Sequence, residues 1–307
     1  MTDWVCELHN DDPDDPAPAE LVRSLADPRI HFVQHPHNLG PIKTFNLFYR
    51  PVDEPFSSLL EDDNTWGSDF LETMLAALDA HPKATLAWCN QRVIRENRDG
   101  QLHETATLVN PAATDARKTE LHPWGNLRQV MGALHANGAM LLRSQPDTTY
   151  VTPQIPFGCV EAFRERLLPH PLVYVPQALA TFTTTVQTAR NHDGENWGAA
   201  LTLLAASYLK HAQLDDATLD RLCSHFRNQH PAMTNELIAA AFNCTEVRPL
   251  LRHVTTRDWL RYARTFVRHP LASLHALRAK TRHSDWWDLL DQRTAQRFVE
   301  ARAIAKP

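Results

Sequence analysis

Apolar and polar residues alternate in short runs along the first part of the chain and recur at helical spacing along the last third. Residues 4–9 read as a strand that the following Asn10-Asp11-Asp12-Pro13-Asp14-Asp15-Pro16 cannot continue, and residues 18–26 suit a short helix with proline in its first turn. A second strand at 30–34 leads through a turn at Asn38-Leu39-Gly40 to a helix ending at Phe48. An apolar segment, 56–60, then runs into Glu61-Asp62-Asp63-Asn64. Phe70, Leu71, Met74, Leu75 and Leu78 share one helix face, and 85–89 is a further strand. Residues 91–119 are polar and expected to be irregular; strands are expected at 139–143 and 172–175, with a helix over 162–168 between them. Strands alternating with helices predict an α/β fold, a mainly parallel (mixed) sheet flanked by helices. Beyond Trp197 the helical runs 197–213, 217–228, 233–242, 257–268, 271–280 and 289–304 predict an α-helical C-terminal region. The expected division is therefore 1–196 and 197–307.

Composition adds little to this picture except by exclusion. At 307 residues the chain can bury a substantial core, and its apolar and charged fractions are ordinary for a water-soluble protein. The longest apolar run, 198–209, is too short to span a bilayer. The five cysteines are widely spaced with no C-x-x-C pair, which argues for small buried thiols in a reducing compartment and against a zinc or disulfide framework. A cytoplasmic protein, in solution or held at a membrane surface, is expected.

The net charge of −5 hides an asymmetry. Acids concentrate near the start, whereas 245–283 carries nine Arg or Lys against two acids, Glu246 and Asp258. Arg257, Arg261, Arg264 and Arg268 repeat at intervals that put all four on one helix face, with Trp259, Tyr262, Phe266 and Val267 elsewhere on the same helix. Such a segment can rest on anionic lipid head groups or on a phosphorylated acceptor, or be a solvated face that pairs with acids of the fold, so peripheral membrane contact through 257–268 is one expectation. Nucleic acid is not an expected partner of an acidic chain without a reader motif. His31, His35 and His37 are closely spaced, but a solvent-facing strand and turn explains them better than a metal.

The candidate chemistry lies in the acids. In α/β sheets the ligand crevice forms at the carboxyl ends of strands, where both Asn10-Asp11-Asp12 and Glu61-Asp62-Asp63 fall. Carboxylates gathered at such a place suit a divalent cation or a shared proton. The plainer alternatives are a helix-capping acid turn for 61–63 and a solvated Asp- and Pro-rich turn for 10–15.

In order along the chain, Asn10-Asp11-Asp12, Asp27 to Ile30 at the entry to the next strand, Asn38-x-Gly40, the D-x-D-like Glu61-Asp62-Asp63 and the His81-Pro82 helix exit resemble the family 2 glycosyltransferases of GT-A fold. The resemblance covers roughly the first 190 positions. It implies a metal-dependent, inverting, hexosyltransferase-type enzyme of glycan biosynthesis. Such an enzyme moves a sugar from a nucleotide-sugar donor to a glycan, lipid-linked or protein hydroxyl acceptor. By resemblance Asp11 would accept a hydrogen bond from the nucleotide base, Asp62 would lie against the ribose, and Asp63 would ligate Mn²⁺ or Mg²⁺. Glu161 falls in the part of the chain where inverting members hold the carboxylate that deprotonates the acceptor.

One departure from the family pattern stands beside these matches. Members begin with a strand, a Pro-Thr-Tyr-Asn-like turn and a helix that together wall the nucleotide pocket, and Met1 here stands just before the second strand. Either a preceding segment is missing from the chain or the protein is a shortened relative with impaired donor binding. The second case allows an alternative of another class, a non-catalytic binding or scaffold protein that keeps the sheet and uses the helical region to hold a partner. A third class, a phosphohydrolase, fits poorly, because Asn10-Asp11-Asp12 lacks the expected acid pair.

Overall fold

The computed structural model describes residues 3–110, 118–132, 134, 136–145, 148–152, 155–186 and 194–304. The chain opens as strand β1 (Cys6–Asn10), helix α1 (Ala17–Leu25) and strand β2 (Ile30–Gln34). β1 and β2 pair in parallel, Cys6 opposite Ile30 and Asn10 opposite Gln34, as a two-stranded sheet separate from a six-stranded one. Helix α2 (Pro41–Phe48) links the two. Gly40 at its start adopts φ 78°, a left-handed conformation that glycine takes without strain, and Pro41 is preset for the first helical turn. On the far side, Asn46 Nδ2 donates to the Thr152 carbonyl at 3.1 Å and Asn46 Oδ1 accepts from Thr152 N at 2.9 Å, which fixes α2 to the body of the protein.

The larger sheet contains β3 (Phe56–Ser57), β4 (Leu86–Glu96), β5 (Leu102–Leu108), β6 (Glu120–His122), β7 (Met140–Arg143) and β8 (Leu172–Thr184), with helices α3 (Phe70–Ala80) and α4 (Val160–Leu167) between strands. Its order is β3-β7-β4-β8-β6, with β5 also on β4. β4 and β8 run parallel, and the other neighbours are antiparallel. The mixed, helix-flanked sheet read from the sequence is present, but it is less parallel than expected: among the described residues only β1–β2 and β4–β8 pair in parallel. Leu86 to Cys89 and Leu172 to Val175 face each other as continuous buried runs, as strands covered on both faces must.

Residues 91–119 differ from the expectation of irregular chain. β4 continues to Glu96, and a hairpin returns it as β5. Asn97 Oδ1 accepts from Asp99 N at 3.0 Å and Gln101 N at 2.9 Å, and Gly100 at φ 75° completes the turn. Residues 111–117 lie outside the described residues. Conversely β3 is two residues long, and the segment after it leaves the sheet.

From Gly194 the described chain is helical: α5 (Gly194–Ala212), α6 (Asp216–Gln229), α7 (Thr234–Asn243), α8 (Thr256–Arg268), α9 (Pro270–Leu277), α10 (Ala279–Arg282) and α11 (Ser284–Ile304), with short 3₁₀ turns between. α5 carries the longest apolar run, and Ala199 to Leu209 is buried throughout, so that run is the centre of the helical core. Around it pack α4, α7, α9 and α11, and Phe163, Trp124 and Ile42 belong to the same apolar cluster. No helix among the described residues is long and apolar enough to cross a membrane.

None of the five cysteines forms a disulfide. Cys89, Cys159, Cys223 and Cys244 are buried, and burial pushes the Cys89 thiol up to about 12, as for an inert core residue. Cys6, on the two-stranded sheet, is the exposed exception.

Candidate active site

The segment after β3 is tied to the sheet at several points, and these ties decide which of its acids remain accessible. Ser58 Oγ donates to the Met140 carbonyl at 2.5 Å. Glu61 then turns inward: Oε1 accepts from Asn137 N at 3.2 Å and Oε2 from Asn64 Nδ2 at 3.3 Å. Asn64 is buried, with Oδ1 accepting from Thr183 N at 2.8 Å. Thr65 and Thr181 exchange backbone and hydroxyl hydrogen bonds at the end of β8. Trp66 Nε1 donates to the Gly138 carbonyl at 2.7 Å while its ring stacks on Phe70, centroids 4.4 Å apart. Between these anchors Asp62 and Asp63 form the exposed apex of a turn.

The four polar residues of 61–64 are thus not one cluster. Glu61 and Asn64 satisfy the fold, and Asp62 and Asp63 face solvent. Burial pushes the Glu61 carboxyl above its usual range, and the charge of Asp63 adds to this, while the Arg164 guanidinium on α4 opposes it. Arg164 is itself buried, and its Nε and Nη1 have no hydrogen-bond partner among the described residues. Its place near Glu61 was not apparent from the sequence; the only signal was a charged run, Arg164-Glu165-Arg166, between the apolar Phe163 and Leu167.

Gly138 makes the Glu61 arrangement possible. A Cβ at 138 would collide with Glu61 Oε2. Gly138→Ala is therefore expected to expel the carboxylate, lose its bond to Asn137 N and destabilise the protein by about 1–3 kcal/mol. Urea unfolding of the variant beside the parent measures this; an unchanged midpoint would show that Glu61 does not anchor the turn.

Asp11 stands at the end of β1, half-buried, and its two carboxylate oxygens accept from Leu39 N at 2.7 Å and Gly40 N at 3.0 Å. It braces the turn at the start of α2, where a negative charge is favourable. Asn10, Asp12 and Asp15 each accept a backbone N–H two residues on, so the acidic loop is a succession of Asx turns. Glu161 is the second residue of α4, three before Arg164; its side chain lies outside the described residues. The acids named from the sequence therefore occupy three places: Asp11 with the 39–40 turn, Asp62 and Asp63 together on the 58–66 segment, and Glu161 on α4.

Two adjacent exposed carboxylates offer hard oxygen donors of the kind Mn²⁺ and Mg²⁺ prefer. Among the described residues no group of three or more His, Cys, Asp or Glu side chains could hold an ion. A cation at this turn would accordingly complete its shell with phosphate oxygens and water, which is usual for Mg²⁺ at diphosphates. The donor set fits that arrangement and does not form a closed protein cage. His35 is occupied with His9, their ring nitrogens 3.1 Å apart.

The family model for glycosyl transferase family 2 matches residues 8–144, the span from β1 to the end of β7. Over this span, a little under half of the chain, the sequence is similar to glycosyl transferase family 2. Among solved structures, S. aureus TarS is similar at 12% identity over 95% of this chain and 50% of that one, with a TM-score of 0.50. A structure of S. aureus TarS 1-349 in complex with UDP-GlcNAc is 13% identical over 96% of this chain and 83% of that one, with a TM-score of 0.49. The chain spans half the length of the longer TarS structure. At such identities the likeness concerns fold, a GT-A-like mixed sheet with a helical C-terminal region. A search of curated proteins returned no match.

Proposed function

We propose that this protein is a glycosyltransferase that moves a hexose from a nucleotide-sugar donor to a hydroxyl acceptor in a metal-dependent reaction with inversion. The observation that carries the reading is the 58–66 segment, pinned on both sides so that of its acids Glu61 turns inward while Asp62 and Asp63 are presented to solvent, within the span that matches the family. Asp63 would hold Mn²⁺ or Mg²⁺ and Asp62 the ribose, while Asp11, already fixed by the 39–40 backbone, would receive the base. When bound, the cation would neutralise the departing nucleoside diphosphate. Glu161 would take the proton from the acceptor hydroxyl as that oxygen attacks the sugar carbon. In this reading residues 1–196 carry the donor site and 197–307 support it, in the cytoplasm, with a glycan, lipid-linked or protein acceptor.

A second reading rests on the split sheet. Among the described residues β1 pairs with β2 alone, so the element that carries Asp11 has sheet support from them on one side only, and a non-catalytic binding protein would tolerate this better than an enzyme. Turnover separates the two. The purified chain, incubated with UDP- and GDP-hexoses, is expected to release nucleoside diphosphate with Mn²⁺ or Mg²⁺ and not with a chelator. No release from any donor, with metal present, would favour the second reading.

A further inference from the structure

The outward side of α8 and α9 is the reverse of a usual surface helix. Asp258 on α8 is buried and bound by Arg227 Nε at 2.9 Å and Arg261 Nη1 at 3.2 Å, and Thr255 closes a capping box with it, so this side of α8 is fixed inward. Arg261 is thereby drawn into the fold and leaves the row of four arginines read from the sequence. Arg257, Arg264 and Arg268 remain exposed, without an ion-pair partner among the described residues. Between them on the same side, at helical spacing, stand Leu260 and Val267, exposed by 67% and 80%. Leu271, 71% exposed, and Leu274 continue the patch onto α9, and Arg278 closes it.

We propose that this face docks on an anionic bilayer surface. A merely solvated basic face has no reason to carry large aliphatic side chains this exposed, and a contiguous exposed apolar patch marks an interaction site. Arginines alternating with leucine and valine match a boundary where phosphate head groups meet acyl chains, with the helix lying in the plane. The only acids of 245–283 are Glu246, outside α8 and α9, and the sequestered Asp258, so neither helix presents an exposed acid to anionic lipid. A two-fold contact between copies would set arginine against arginine. Phe242 and Trp259, both exposed, flank the patch with rings suited to the head-group level. The inference does not depend on the sugar-transfer reading.

The test is co-sedimentation of the purified chain with phosphatidylcholine vesicles, with and without phosphatidylglycerol. Binding is expected only to the anionic vesicles and to fall as salt rises. Replacing Arg257, Arg264 and Arg268 by Gln together is expected to weaken it on the order of 100-fold. Leu260→Ser with Val267→Ser is expected to weaken it at unchanged charge. The replaced side chains are exposed, so an unaltered circular dichroism melt would show that the variants are folded. Equal binding to neutral vesicles, binding that survives the triple arginine replacement, or patch-dependent self-association without vesicle binding would each overturn the proposal.

Discussion

Replacing Glu165 by alanine is expected to destabilise the protein by about 3–5 kcal/mol, the usual loss when one partner of a buried ion pair is removed. Glu165 lies on α4 with about 1% of its surface exposed. Oε1 meets His170 Nε2 at 2.8 Å and accepts from Gln129 Nε2 at 3.1 Å; Oε2 accepts from Leu134 N at 3.0 Å. Arg166, fully buried beside it, stacks over the rings of Trp124 and Tyr208 and donates to the Val130 and Leu204 carbonyls. Alanine would remove the carboxylate that these three groups contact and reduce the charge that stabilises Arg166, whose guanidinium burial already pulls down to about 10.

Burial alone would raise the Glu165 carboxyl. The His170 hydrogen bond, with Arg166 and Gln129, outweighs it, and the carboxyl lies below its usual range. Its ionised form is therefore favoured by folding. The associated stability is present above the ordinary carboxylate pKa and is lost as pH falls through the lowered folded value. Glu165→Gln keeps the shape and one acceptor and should lose less than alanine at neutral pH, and it should flatten the acid limb of the stability curve. Urea midpoints across pH measure both. A loss below about 1 kcal/mol for alanine, typical of an exposed substitution, would show that the network does not hold the fold.

The second large effect is on rate. Glu161→Gln is expected to lower turnover by about 10²–10⁴-fold, the contribution of a positioned general base, with donor affinity unchanged. Glutamine has the size of glutamate and cannot accept the proton. The position of Glu161 at the second residue of α4 separates it from Glu165, which is enclosed one turn further on. The two substitutions should accordingly divide cleanly: stability falls with Glu165→Ala, and kcat falls with Glu161→Gln at an unchanged urea midpoint. Turnover equal to that of the parent would move the base to another residue.

What was legible in the sequence was periodicity. β2 was expected over its observed bounds, and α5 to α9 within a few residues of theirs, because one face of each is apolar at the right spacing. β5 was missed because Leu102, His103 and Glu104 are exposed on a strand paired only to β4, so no apolar alternation marks it; the Asp99-Gly100 turn was the available clue. β8 was expected only from Leu172 to Val175, and Pro176 follows. The strand survives it through an irregularity in which pairing to β4 jumps from Val175 to Ala178 and Pro176 escapes the ladder.

At the candidate site the accessible acids could be read directly, since polar residues at the end of an apolar strand stand out. Their anchoring could not. Glu61 is held by Asn137 and Asn64 by Thr183, contacts that depend on tertiary register and leave no local pattern. Nor did the sequence tell the buried Glu165 from Glu161 four residues earlier.

The central claim is a metal-dependent nucleotide site at Asp63, and calorimetric titration of the purified chain with UDP and with GDP, with and without Mn²⁺, tests it most directly, beside an Asp63→Ala control. One nucleotide is expected to bind only with the metal, and Asp63→Ala to lose that binding while remaining folded. Absence of binding by the intact chain to either nucleotide, or metal-dependent binding unchanged in Asp63→Ala, would contradict it.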